Sequence, residues 1–415
     1  MSIEKKLTYL KDTKALIRKK LNRFGINVSS ENTFRSYVDF LDEILNRYPK
    51  SRGQGTEVTL ENTIEAPFII FDVEGNSEQD GTPSPDNEVP ILSSGDNGSI
   101  NEKIINKNFA TNITGNVTRN GLTFKVNDDK SITINGTATS DVYYILRNDL
   151  SFKAGETWSL SGCNGGSSTT YGLYCYNIGD LYNGTKTTTL TSDFVNRQLG
   201  IIVKNGTTLN NVTFYPQLEL NSQATDYVLP QEQDYSIFVQ QPMRSIGDVR
   251  DKFVKVNGNW FERHYIGRKI LNGTENWEIY NTHIYLYDDT FKASVESNDY
   301  VPNYKCNYFI PDSLFNANSS PNGKILQNTW GGLAKHKGIA FNSQDTFSDV
   351  ATLKTWLSTH NVVVHYELAE PLDLPCTQSQ IQQLENKPST YKDFTIIQSQ
   401  DETPAYLEVA GLKED

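Results

Sequence analysis

Histidines, paired carboxylates and glycine-rich turns are where acid–base, metal or phosphate chemistry would have to sit in this chain. The histidines are His264, His283, His336, His360 and His365, and none falls in an H-E-x-x-H pair or beside a nucleophile motif. Spacing therefore gives no support to a hydrolytic triad. His360 and His365 flank an expected helix-to-strand junction, where surface and turn histidines are ordinary, so no metal is assigned to them. Neighbouring carboxylates occur at Asp128 with Asp129, Asp288 with Asp289, and Glu78 with Asp80. A glycosidase needs two such groups held roughly 5–10 Å apart, whereas acidic turns are normal in an anionic β-rich protein. Neither Asp128 and Asp129 nor the 76–86 loop has EF-hand spacing for calcium. Gly162, Gly165 and Gly166 lack the Lys-Ser/Thr of a phosphate loop. The expectation is no catalytic residue, no metal and no cofactor.

Sugar binding is better supplied. Tyrosine, phenylalanine and tryptophan make up 11% of the chain, and Tyr171, Tyr174, Tyr176 and Tyr182 cluster within one segment. Sugars stack their C–H faces on such rings while nearby Asn, Asp and Gln meet the hydroxyls. Trp330, among the turn residues Asn328, Thr329, Gly331 and Gly332, is a further candidate contact. Residues two apart, such as Tyr174 and Tyr176, share one strand face, so core packing and a subunit interface stand as alternatives. Trp158 is expected to be a core anchor.

Elements of two kinds must position these rings. Ile3, Leu7, Leu10, Ile17 and Leu21 recur at helical spacing until Gly25, and Phe34, Tyr37, Val38, Leu41 and Ile44 follow after polar cap candidates at 29–33. Two helices of roughly 15–20 residues bury too little to stand alone. Residues 1–48 are therefore read as an assembly anchor, with a hairpin folded onto its own chain as the alternative. Pro49 to Thr56 has linker composition, and the linker is drawn over 49–63.

Beyond it, short runs rich in Val, Ile, Thr, Tyr and Phe alternate with Asn, Gly, Asp and Pro, the pattern of sandwiches with many short strands. Strands are expected at 68–73, 122–126, 131–134, 142–146, 157–161, 200–203, 212–215, 260–266, 277–279, 284–287, 362–366, 394–397 and 406–409. A hairpin turn is expected at 127–130. Helices are expected at 349–359 and at 378–384, with Thr377 as the cap of the second.

Thirty-eight basic against fifty acidic side chains leave a net charge of −12, the wrong sign for phosphate backbones, so no nucleic-acid partner is expected. No apolar run approaches the roughly 20 residues that span a bilayer, and the start lacks a basic-then-apolar pattern, so neither membrane insertion nor signal-directed export is expected. The four cysteines, Cys163, Cys175, Cys306 and Cys376, form no C-x-x-C pair and read as reduced thiols.

Several phrases resemble bacteriophage tail and virion-associated structural proteins over most of the chain. They are Lys6-Leu7-Thr8-Tyr9-Leu10-Lys11-Asp12-Thr13-Lys14, Thr33-Phe34-Arg35-Ser36-Tyr37, Arg244-Ser245-Ile246-Gly247-Asp248-Val249-Arg250-Asp251, and Tyr366-Glu367-Leu368-Ala369-Glu370-Pro371. The most specific is a Gly-x-x-x-Gln-x-Gly-Thr-Pro-x-Pro turn carried by Gly75, Gln79, Gly81, Thr82, Pro83 and Pro85, with Glu88 where the family has a final proline. Pro216 to Tyr227 is similar to the last strand of an inserted sandwich of carbohydrate-binding-module type.

The resemblance implies a mainly β fold: an N-terminal α-helical anchor followed by two or more β-sandwich (jelly-roll-like) domains. The expected organisation is an anchor at 1–48, a linker at 49–63, a discontinuous β-domain opening at 64–107, an inserted sandwich at 108–230, and the remainder of the β-domain over 231–415. It further implies a non-enzymatic tail fibre or baseplate component of the virion, assembled in the host cytoplasm. Its partners would be other phage virion proteins, further copies of itself, commonly as a homotrimer, and host cell-surface polysaccharide. A head fibre or capsid decoration protein, a polysaccharide-degrading tailspike and a free sugar-binding module are the rival readings.

Overall fold

The computed structural model describes residues 50–110, 115–280, 283–288, 290, 304–312, 324–327, 338–342 and 347–414, preceded by helical residues 8, 10, 11 and 13–19 and by residue 29. The protein is mainly β. Among the described residues, a seven-stranded sheet runs Lys50–Gly55, Tyr406–Leu412, Ile70–Glu74, Lys252–Val256, Asn259–Leu271, Val362–Pro375 and Tyr304–Cys306. A four-stranded sheet, Glu232–Phe238, Ser99–Ile105, Asp393–Ser399 and Glu57–Thr63, shares an apolar core with it. Alternation explains the packing. Val58 and Leu60 face inward from one sheet, Phe71, Val73, Leu407 and Val409 from the other.

Residues 50–63 correct the linker reading drawn over 49–63. Lys50–Gly55 pairs antiparallel with Tyr406–Leu412, Ser51 opposite Gly411, and Glu57–Thr63 pairs with Asp393–Ser399. The glycine that reads as flexibility is there for close approach, since a side chain at Gly53 would collide with Val58. Local composition cannot reveal a partner some 350 residues away in sequence.

Strand Ser99–Ile105 pairs with Glu232–Phe238, Ile105 opposite Glu232, so the segments on either side of 108–230 are neighbours. Asn108 closes this neck: its amide donates to the carbonyls of Pro216 and Val228, and its Oδ1 accepts from the N–H groups of Ala110 and Leu218. The intervening chain wraps three small antiparallel sheets around one core centred on Trp158, which Phe109 and Phe152 meet edge-on at 4.8 and 5.0 Å. Ile105 and Ile396 from the body reach into that core.

Leu122–Val126 occupies the expected range, and most other expected strands appear with longer ends, as at Val142–Phe152 and Val362–Pro375. Both expected later helices form. Asp349 caps Val350–Leu357, and Thr377 with Gln380 makes a capping box on Gln378–Glu385. In the N-terminal segment Leu10 is exposed and Ile17 half-buried. The other predicted anchor residues, Leu7, Leu21, Phe34, Tyr37, Val38 and Leu41, lie outside the described residues.

Candidate functional site

The insert's second sheet, Val142–Phe152, Phe194–Val203, Tyr171–Cys175 and Gly179–Leu181, has two faces of different chemistry. Tyr144, Ile201, Leu173 and Leu181 stand opposite one another and face the core. One residue along, Tyr143, Ile202 and Gly172 align on the outer side, and next to them Ile145, Gly200, Tyr174 and Asp180. Two glycines therefore lie beneath the outer rings. A side chain at Gly200 would come within 2.6 Å of the Tyr174 ring, and one at Gly172 within 2.7 Å of the Tyr182 ring. Both rings lie against bare backbone.

Tyr143 and Tyr176 meet the Tyr174 ring edge-on at 5.6 and 5.7 Å. They are 46% and 54% exposed, whereas Tyr174 is 5% exposed. Burial, with the neighbouring phenols of Tyr176 and Tyr143, pushes the Tyr174 hydroxyl up to about 12. Polar groups border the rings. Tyr182 donates to Asp180 at 3.0 Å, and Lys204 pairs with Asp141 at 2.9 Å while sitting 5.9 Å from the centre of the Tyr143 ring. This surface offers ring faces for C–H stacking and charged groups for hydroxyls.

The four tyrosines read from the sequence thus separate. Tyr176 and Tyr182 belong to the outer face. Tyr174 is a foundation under the exposed rings and presents almost no surface of its own, which corrects its reading as a contact. Tyr171 is also corrected: it stands opposite Val203 on the inner side, packs against Phe214, and donates to the carbonyl of Asn164. Tyr143 was missed, although the alternation of Tyr143 and Ile145 against Val142, Tyr144 and Leu146 carries its outward direction. Trp330 lies outside the described residues, and Trp158 is buried in the core.

Elsewhere several acid–base residues are engaged. His264 is enclosed, Nδ1 3.0 Å from Asp251 and Nε2 2.9 Å from Glu262. Asp251 also accepts from the N–H groups of Arg244, Tyr265 and Ile266, and Glu262 from those of Gln240 and Gln241 and from the Gln380 amide. Burial would drive the imidazole down, but the two carboxylates outweigh it and carry it up to about 9. With both ring nitrogens held, His264 acts as a structural cation and leaves no nitrogen for a nucleophile.

His360 stacks on Trp356 at 3.9 Å and bonds to its carbonyl. Asp129 accepts from Ser131 within its own turn, and Asp288 pairs with Lys269. Among the described residues, no group of three His, Cys, Asp or Glu could hold a metal, and all four thiols are free. No described helix is long and apolar enough to cross a membrane. No family model, curated protein or solved structure matches the chain.

Proposed function

We propose that this chain is a non-enzymatic structural protein of a phage virion, and that its 108–230 insert is a carbohydrate-binding-module-like β-sandwich turned toward host surface glycans. The observation that carries the reading is the outer sheet face on which Tyr182 lies over Gly172 and the exposed Tyr143 and Tyr176 rings flank Tyr174, itself seated on Gly200, with Asp180, Asp141 and Lys204 at the border. Apolar rings held at a surface cost hydration, and a stacked ligand or partner removes that cost. The body supports display: strands from both of its ends are locked together at Lys50–Gly55 and Tyr406–Leu412, while the insert leaves through one pair of adjacent strands. In this reading the N-terminal helical segment, with Leu10 and Leu16 exposed, docks the chain into the particle beside further copies, commonly two.

The test is binding of the full chain to host-wall and capsule polysaccharides on an array. Tyr143→Ala and Tyr176→Ala should each weaken binding about fivefold, in keeping with about 1 kcal/mol for an aromatic contact. Tyr171→Phe should leave it unchanged. Polysaccharide binding that survives Tyr143→Ala with Tyr176→Ala, no binding to any host polysaccharide, or release of reducing ends would overturn the proposal.

A further inference from the structure

A second site lies on the body, away from the tyrosine face. Strands Asn259–Leu271, Val362–Pro375 and Tyr304–Cys306 set Arg268, His365 and Lys305 side by side: Arg268 stands opposite His365, and His365 opposite Lys305. Three basic residues in one cross-strand row repel one another. Arg244, just before the short strand Ser245–Ile246, adds a fourth, and with Arg268 and His365 it lines a cavity of about 410 Å³. Both arginines also line an adjoining cavity of about 560 Å³.

Asp251, Asp96 and Glu262 act on Arg244 only at a distance, and Lys305 donates to the carbonyl of Ser77, so among the described residues the row has no directly paired counter-charge. Arg244 is 6% and His365 2% exposed, yet Arg244 Nε and His365 Nδ1 have no hydrogen-bond partner. Among the described residues, no carboxylate comes within the 4.0 Å of an ion pair to Arg244 or Arg268. The acids at the rim are turned elsewhere: Glu88 accepts from Asn307 and Tyr308, and Asp96 from the N–H of Ser93. Burial, and then Arg244, Arg268 and Lys305, drive the His365 imidazole down to about 3. A buried guanidinium Nε and a buried ring nitrogen without partners are costly to keep.

We propose that this cavity is an anion-binding site that takes one oxyanion group, a carboxylate or a phosphate, between Arg244, Arg268 and His365. Arg268 at the open side and Arg244 at the buried side supply planar donors for two oxygens, and His365 Nδ1 supplies a third contact. The site is independent of the tyrosine face, so either proposal can fail alone.

The experiment is calorimetric titration of the full chain with inorganic phosphate and, separately, with glucuronate, at constant ionic strength, while ¹⁵N spectra follow the His365 ring. One anion should bind per chain, the His365 ring nitrogens should shift with the same saturation curve, and Arg268→Gln should weaken binding about tenfold or more. Arg268 is exposed, so this variant leaves the buried packing in place. Lys125→Gln, an exposed charge change in the insert, should leave binding unchanged. Saturation by phosphate alone identifies a phosphorylated ligand, and by glucuronate alone a carboxylated one. No saturable binding of either, or binding indifferent to Arg268→Gln, overturns the site.

Discussion

Within the insert, the buried cluster around Trp158, Leu160, Leu173 and Ile201 is apolar, and the exposed rings with their charged border sit on the outside of one sheet. The body buries Asp251, Glu262, His264, Glu102, Arg244 and His365 beside a core of similar composition. The difference traces to strand regularity. Opposite Asn259–Leu271, the strand Val362–Pro375 slips between Glu367 and Leu372, and the register shifts between His264 and Ile266. That irregularity frees the N–H groups of Tyr265 and Ile266, which Asp251 accepts. Pro371 lies in the slipped stretch and has no N–H to give. Once Asp251 is buried to satisfy backbone, His264 and then Glu262 follow to balance charge.

This contrast sets the largest expected effect. Asp251→Asn keeps shape but removes the charge opposite His264, and should cost about 3–5 kcal/mol, the range for breaking a buried ion pair. Leu160→Met in the insert, equally buried, should cost less than about 1.5 kcal/mol because volume is conserved. Urea unfolding followed by amide NMR signals from the two regions checks both. Equal costs would remove the distinction between the volume-sensitive cluster around Trp158 and the charge-dependent network around His264.

The same network gives the body a histidine-linked pH dependence that the insert lacks, since residues 108–230 contain no histidine. His264 has its folded-state pKa raised above its ordinary value of 6.5, to about 9. Its stabilisation is therefore complete below about pH 6.5 and is lost as pH rises through about 9. The loss should reach at most about 3 kcal/mol. Denaturation midpoints at pH 6, 7 and 8, below the range in which the buried Cys163 and Cys175 thiols of the insert begin to cost stability, should fall for the body, stay level for the insert, and fall less steeply in His264→Gln. A parallel fall in both regions would place the titrating group elsewhere.

How much of this was legible in the sequence follows from the range of the interactions concerned. The hairpin at 127–130, the Leu122–Val126 strand and the Thr377 capping box are set by residues within a few positions of one another, and local pattern finds them. The strand at Lys50–Gly55 owes its existence to Tyr406–Leu412, and no local signal marks it. The tyrosine cluster is visible, but that Tyr174 is covered depends on Tyr143, a neighbour two strands away across the sheet, and that Tyr171 turns inward depends on its pairing with Val203 and its packing on Phe214. The basic row is harder still, since Arg268, Lys305 and His365 become adjacent only through two strand registers.

The finest comparison is between two buried glutamates. In the insert, Glu219 accepts from the Gln217 amide and from the N–H and hydroxyl of Thr225. In the body, Glu102 shares the inward side of Ser99–Ile105 with Ile100 and Ile104, and neither of its oxygens has a partner. Burial, helped by Asp401, raises its carboxyl well above the usual 4.5. A carboxyl raised in this way holds its proton more tightly folded than unfolded, so it costs stability as pH climbs above 4.5. Glu102→Gln, which cannot ionise, should therefore match the parent at pH 4 and exceed it by roughly 1 kcal/mol at pH 7. Glu219→Gln should go the other way at pH 7, losing about 1 kcal/mol because its amide group meets donors where the carboxylate accepted. Midpoints of urea unfolding at the two pH values decide it, and a Glu102→Gln variant no more stable than the parent at pH 7 would mean that the carboxyl has found a counterpart in solution.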